Sequence, residues 1–233
     1  MCFSATASFT AGAVLSVTGA ATLHKASTPP QKVLASIPII FAVQQITEGI
    51  MWISLTNPVH TQWILPSAYI FLAFAHFLWP FWVPMAMLMM ETNTERRKKM
   101  RVLLLCGLAV SAYLGSRLLT QTPVAEIRGA HIFYGFGVSL EATRVCGVLY
   151  FIATIFPPFF SSIRRMWFLG ASNFVSFVVS WFFFQDYIVS MWCFFAAFTS
   201  IAIYFILARL QHPVTVNKWA ARRHDHELRI PQP

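Results

Sequence analysis

Charged side chains are scarce in this sequence. They make up 11% of its 233 residues, whereas hydrophobic residues make up 57% and the mean hydropathy is +0.62. Soluble domains average about 25% charged and about 45–50% apolar residues. This excess of apolar over charged residues indicates a protein that is embedded in a lipid bilayer. Seven spans of about 20 residues each, with short loops, would use nearly the whole chain and leave no room for a separate soluble domain.

Lysine is missing from every long apolar run. The five lysines lie in loops or in the C-terminal tail, at Lys25, Lys32, Lys98, Lys99 and Lys218. A retinal Schiff base needs a lysine inside the membrane, so covalent retinal is excluded, and no other cofactor is indicated. The sequence also lacks an HExxH motif and a CxxC pair among its four cysteines, and no apolar run contains a close histidine pair. We therefore predict no metal site.

What the sequence does contain is seven apolar runs. They cover residues 3–23, 33–55, 63–90, 102–119, 145–160, 166–184 and 187–210. No Lys or Arg precedes the first run, which is therefore a retained span and not a signal peptide. The long third run contains Pro66, Pro80 and Pro84, so we expect it to kink. The less hydrophobic stretch 120–143 predicts a short interfacial or re-entrant element.

The basic residues alternate strongly between successive loops. Fourteen fall on one side, at Lys25, Lys32, Arg96, Arg97, Lys98, Lys99, Arg101, Arg164, Arg165, Arg209, Lys218, Arg222, Arg223 and Arg229, and three on the other, at Arg117, Arg128 and Arg144. Because cytoplasmic loops accumulate Lys and Arg, we predict an all-α, seven-transmembrane helix bundle in the cell membrane. Residues 1–210 form the bundle with the N-terminus outside, and 211–233 form a basic cytoplasmic tail.

The net charge of +9 comes from basic residues in these loops and in the tail, where their role is to fix the orientation of the spans. We therefore expect the basic loops to contact anionic lipid headgroups, and we expect no nucleic-acid partner.

The second span contains an unusual set of polar side chains. Gln44, Gln45, Glu48 and Trp52 lie close together, and Glu48 is four residues from both Gln44 and Trp52. A carboxylate in a span costs about 2.5–3.5 kcal/mol on insertion scales, so Glu48 should face the bundle and be paired or protonated. The set is either a hydrogen-bonded contact between helices or part of a ligand site.

His76 lies near the middle of the third span. A neutral imidazole there could donate to a backbone carbonyl freed by the prolines, or it could carry a proton or bind a metal.

Other polar residues map to the outer half of the bundle or its rim. They are Arg117, His131, Glu141, Arg144 and Asp186, and Glu48 lies in the same half. The acids and arginines could pair and close the outer mouth, or they could line a polar cavity.

The chain begins Met-Cys-Phe-Ser-Ala-Thr-Ala-Ser-Phe and carries Gln44-Gln45 and Glu48-Gly49 in the second span. In these features it resembles an uncharacterised family of small multi-pass membrane proteins that share the Met-Cys-Phe-Ser-Ala start. The resemblance would span most of the chain. It implies that Cys2, Phe3, Ser4, Gln45 and Glu48 belong to the family pattern, and it implies no particular activity.

Three hypotheses follow. In the first, an outward-facing polar pocket binds a small polar molecule or ion, for transport or sensing, through Glu48, Gln45, His76 and Arg117. In the second, the chain is an intramembrane enzyme acting on a lipid or quinone, with Glu48 or His76 as acid or base. In the third, it is a non-catalytic subunit whose aromatic-rich spans five to seven pack against another membrane protein.

Overall fold

A computed structural model of the chain describes residues 4–135, 137 and 140–211, with the backbone alone at 140 and 211. Most of the predicted tail, and Cys2 and Phe3 of the N-terminal motif, lie outside these residues. Seven helical segments are long and apolar enough to cross a membrane, as predicted: Ala5–Lys25, Pro29–Thr56, Pro58–Met90, Thr94–Thr120, Glu141–Phe160, Met166–Phe183 and Gln185–Leu210. The chain is a multi-pass helical membrane protein.

Several spans are built from more than one helix. The first half of the chain comprises α1 (Ala5–Lys25), α2 (Pro29–Ala35), α3 (Ile37–Thr56), α4 (Ile64–Leu72), α5 (Trp79–Met90) and α6 (Thr94–Thr120). The second half comprises the strands β1 (Val124–Arg128) and β2 (His131–Gly135), followed by α7 (Leu140–Ile155), α8 (Met166–Phe183), α9 (Ile188–Ala197) and α10 (Thr199–Gln211). Short 3₁₀ turns occupy Pro58–Trp63, Pro157–Phe160 and Gln185–Tyr187.

The third span is interrupted by a π-helical turn at Ala73–Leu78. At its C-terminal end, the Trp79 amide donates to the carbonyl of Phe74, five residues earlier. Pro80 follows at once and has no N–H for the carbonyl of residue 76, which favours such a wide turn. Where the prolines predicted a tilt or kink, the structure has a π turn next to Pro80.

Close contact between helices depends on glycine. α1 runs antiparallel to α3, since Gly12 lies opposite Ala42 and Ile46 whereas Gly19 lies opposite Ile39. A Cβ added at Gly12 would stand 3.3 Å from the carbonyl oxygen of Ala42. Such small residues let two backbones approach without a side chain between them. One face of α3 is thereby buried against other helices and can carry polar groups, whereas Val43, Ile50 and Ile53 on another face stay exposed.

The predicted element between spans four and five is an antiparallel β-hairpin. It pairs Val124 with Gly135 and Arg128 with His131, and Gly129 in its turn has φ +63°. Tyr134 stacks on Phe71 of α4 at a ring distance of 4.5 Å, which holds the hairpin on the bundle. We call this side the hairpin end, and the opposite side, with the loops at 26–28, 91–93 and 161–165, the basic end.

Candidate functional site

The polar side chains of α3 point into the bundle. Gln44, Gln45 and Glu48 are 0% exposed, and Trp52 is 7% exposed. α3 packs against α1, α4 and α9, so these groups meet other helices and not lipid. This agrees with the expectation that Glu48 faces the interior.

Gln44 connects three helices through its amide. The indole Nε1 of Trp79, on α5, donates to Gln44 Oε1 at 2.9 Å, and Gln44 Nε2 donates to the Cys193 thiol of α9 at 3.3 Å. The Trp79 ring also stacks on Phe41, with centroids 4.1 Å apart. Both polar atoms of Gln44 are therefore satisfied within the protein.

Glu48 is bonded to α9 as well. The Ser190 hydroxyl donates to a carboxylate oxygen of Glu48. The two bonded pairs, Gln44 with Cys193 and Glu48 with Ser190, are one helical turn apart on each helix. α3 and α9 are therefore antiparallel and meet at successive turns. The sequence indicated that Glu48 needs a partner. It did not identify Ser190, which is a single hydroxyl in a long apolar run.

Gln45 differs from its neighbour. Its side-chain oxygen and its side-chain nitrogen are both buried, and neither has a hydrogen-bond partner in the described part of the chain. The same holds for Trp52 Nε1, seven residues later on α3, and for the Ser8 hydroxyl of α1, which is 0% exposed. We call Ser8, Gln45 and Trp52 the α1–α3 polar patch.

The α1–α3 polar patch lies near the depth of Glu48. Phe9, the neighbour of Ser8, contacts Gly49. Ala11 packs against the cluster formed by Met191 and Phe194, which lie just after Ser190 in the chain. Ser8, Glu48 and Ser190 therefore bring polar groups from α1, α3 and α9 to a similar level. Buried amides and indoles without hydrogen-bond partners are rare in native proteins. A further hydrogen-bonding group at this patch would satisfy them.

His76 belongs to the π turn and is half-buried. Its imidazole hydrogen-bonds the backbone of Leu72, one turn earlier. A backbone partner for His76 was one of the alternatives from the sequence, but Leu72 is not one of the residues four positions before a proline, whose carbonyls the prolines leave free.

A cavity of about 40 Å³ lies beside the Gln44 cluster. It is lined by Phe41, Trp79, Val83, Tyr150, Thr154, Asn173, Trp192, Cys193 and Ala196. Most of its polar groups bond to one another or to backbone: Tyr150 donates to the Ala75 carbonyl at 2.7 Å, and Trp192 Nε1 donates to Asn173 Oδ1 at 3.1 Å. The volume would accommodate a few water molecules, but the exposed lining is mainly apolar and offers them few partners.

The polar residues predicted for the rim are more scattered. Arg117 donates to the backbone carbonyl of Gly137. His131 packs between the rings of Phe184 and Tyr187, at centroid distances of 5.2 and 4.7 Å.

Glu141, Arg144 and Asp186 are exposed at the hairpin end. Within the described ranges they form no ion pair, and none is bonded to Glu48. The structure thus joins Gln44 and Glu48 of α3 to α9, whereas these three charged residues are not part of that contact.

A buried carboxylate at the basic end was not singled out from the sequence. Glu91 follows α5, is 1% exposed, and accepts hydrogen bonds from the amides of Thr92 (2.9 Å), Asn93 (2.8 Å) and Ser162 (2.6 Å) and from the Ser162 hydroxyl (2.6 Å). Burial alone raises the pKa of the Glu91 carboxyl, but these hydrogen bonds favour the charged form, and its pKa is lowered overall. Glu91 thus joins two loops that lie 71 residues apart.

Ser4 of the N-terminal motif has a local role. It is the N-cap of α1, and its hydroxyl accepts a hydrogen bond from the Ala7 amide at 3.2 Å. Such a cap satisfies one of the free amides at a helix start.

An open groove of about 470 Å³ lies between α8 and α9. It is lined by Phe168, Ala171, Ser172, Val175, Ser176, Val179, Phe195 and Phe198. We call it the α8–α9 groove. Its lining is apolar apart from two serines, and the Ser176 hydroxyl donates to the Ser172 carbonyl at 2.8 Å.

Comparisons with curated proteins and with solved structures gave no match. A protein-family model does match, over residues 1–218 of the chain. This agrees with the resemblance inferred from the N-terminal motif and the second span. The chain belongs to DUF6629, a family of unknown function.

Proposed function

We propose that this integral membrane protein binds a small polar molecule or ion inside its helical bundle, for transport or sensing. The binding site is the α1–α3 polar patch together with Glu48. It lies in the half of the bundle nearer the hairpin end, which the distribution of basic loops predicts to be the outer half.

One observation carries the proposal. The Gln45 amide is completely buried, yet neither of its polar atoms has a partner among the described residues. Leaving such groups unpaired costs about 1–3 kcal/mol each, and a ligand or water that bonds them removes that penalty. Gln44, the adjacent glutamine, has both of its polar atoms bonded within the protein.

The groups in this region limit the chemistry of the ligand. Gln45 offers one acceptor and one donor site, Trp52 offers a donor, and Glu48 adds a carboxyl group. A ligand that donates hydrogen bonds to Glu48 and Gln45, such as a protonated amine or a primary amide, is complementary. A small cation coordinated by oxygen atoms fits the same set.

Thermal unfolding of the purified full-length protein tests the proposal. The probes are sodium, ammonium, methylammonium and acetamide, each added at increasing concentration. A ligand bound only by the folded state stabilises it by about 2.7 kcal/mol at 100 times its Kd. We expect at least one probe to raise the unfolding temperature of the wild type.

Three variants make the result specific. Gln45→Leu and Glu48→Gln should abolish the shift caused by that probe. Gln62→Leu replaces an exposed glutamine of the turn Pro58–Trp63 and should retain it. Identical shifts in the wild type and Gln45→Leu across all four probes would overturn the proposed site.

A further inference from the structure

The α8–α9 groove opens on the lipid-facing side of the bundle, where lipid chains contact the protein. Its length can be compared with a lipid chain, since it extends along α8 from Phe168 to Val179. Eleven helical steps of 1.5 Å make about 17 Å. One leaflet of the hydrocarbon core is about 15 Å thick. The groove is therefore about as long as an acyl chain in one leaflet.

The lining of the groove suits a hydrocarbon chain. It combines aromatic rings with small side chains. Ser176 uses its hydroxyl for the Ser172 carbonyl of its own helix, so this hydroxyl does not require a partner from outside.

The basic end of the groove carries positive charge. Arg164 is exposed, and Arg165 directly precedes α8, three residues before Phe168. Trp167 stacks on Phe168 at 3.8 Å, and tryptophans in such positions mark the membrane interface. Both arginines therefore lie at headgroup level, where a guanidinium can bind a phosphate through paired hydrogen bonds.

We propose that the α8–α9 groove binds one anionic phospholipid. An acyl chain lies along α8 in the groove, and the phosphate of the headgroup contacts Arg164 and Arg165. The proposal rests on the combination of complementary charge and an apolar groove of matching length.

Native mass spectrometry of the full-length protein in neutral detergent tests this proposal. Dioleoylphosphatidylglycerol and dioleoylphosphatidylcholine are added at equal concentration, and the retained lipid is counted. We expect the wild type to retain the anionic lipid about tenfold more strongly. The double variant Arg164→Gln and Arg165→Gly should lose this preference.

The glycine is chosen because Arg165 has φ +79°, a conformation that glycine adopts without strain, so this variant should fold. Ser172→Leu fills the groove and should reduce retention of both lipids. Arg101→Gln at the basic end and Ser116→Leu on the surface of α6 are matched controls and should behave as wild type.

Four outcomes would overturn the proposal. The first is equal retention of the two lipids by the wild type. The second is a loss of preference in Arg101→Gln as large as in the double variant, which would indicate diffuse charge and not a site. The third is a protein dimer that Ser172→Leu dissociates, because the groove would then hold a second copy of the chain. Displacement of the lipid by inorganic phosphate would also contradict binding through the acyl chain.

Discussion

Gln44 and Gln45 are adjacent and equally buried, but their surroundings differ. Gln44 bonds Trp79 and Cys193, whereas neither polar atom of Gln45 has a partner among the described residues. We predict that Gln44→Leu lowers the free energy of unfolding by about 1–3 kcal/mol, because it leaves the Trp79 N–H unpaired. Gln45→Leu should leave the ligand-free protein unchanged or more stable, because it removes unpaired polar atoms from the interior.

Thermal or denaturant unfolding in detergent, without added ligand, measures both effects. Equal destabilisation by the two substitutions would contradict the assignment, since it would mean that Gln45 is bonded as Gln44 is. A residue that lowers the stability of the empty protein is typical of a binding site, where function and stability conflict.

Glu91 gives a pH-dependent prediction. Its pKa in the folded protein lies below the ordinary value of 4.5, so its charged form stabilises the fold above that pH. We expect Glu91→Gln to destabilise the protein at neutral pH by about 1–3 kcal/mol. The difference from the wild type should disappear as the pH falls through the lowered pKa, because the wild-type carboxyl is then protonated.

Unfolding of both proteins over a pH series measures this difference. A difference that stays constant down to the acid limit would show that the charge of Glu91 does not contribute. Glu95→Gln is a suitable control, because Glu95 is an exposed residue paired only with the exposed Lys98.

At the scale of elements, the crossing of α5 and α6 depends on Gly107. A Cβ at this position would stand 1.9 Å from the carbonyl oxygen of Pro80, so the two backbones would have to separate. We predict that Gly107→Ala destabilises the bundle by about 1–3 kcal/mol or more.

Gly147 of α7 is the matched control. A Cβ there meets nothing within 4 Å, and Gly147→Ala should stabilise the helix by about 0.5–1 kcal/mol. Comparison of the two unfolding temperatures tests the prediction. Similar effects of the two alanines would mean that α5 and α6 can separate at no cost.

The third span shows how local signals and packing combine. Its prolines predicted an irregularity, and the irregularity is the π turn at Ala73–Leu78. The form of the turn depends on neighbours, because α6 packs directly against it. Similarly, the stretch after α6 was expected to form a short element, but its identity as a hairpin held by Phe71 depends on a contact with α4.

For the molecule as a whole, orientation remains a prediction from the basic loops. We expect the hairpin end to face outwards and the basic end to face the cytoplasm. In a variant without the native cysteines, an impermeant maleimide added to intact cells should label Ala130→Cys in the hairpin turn. It should label Thr94→Cys, at the start of α6, only after the cells are opened. The reverse pattern would show that the chain is inserted the other way.

The sequence by itself determined the seven spans, the buried position of α3's polar residues and the absence of a retinal lysine. These properties depend on composition within one segment, because lipid requires about 20 apolar residues for a span and penalises every polar group inside it. Only the tertiary structure decided which polar groups are bonded. Gln44 and Cys193 are 149 residues apart, and Glu91 and Ser162 are 71 apart. Such partners are selected by the packing of whole helices, so the difference between the satisfied Gln44 and its neighbour Gln45 emerges only when the bundle is assembled.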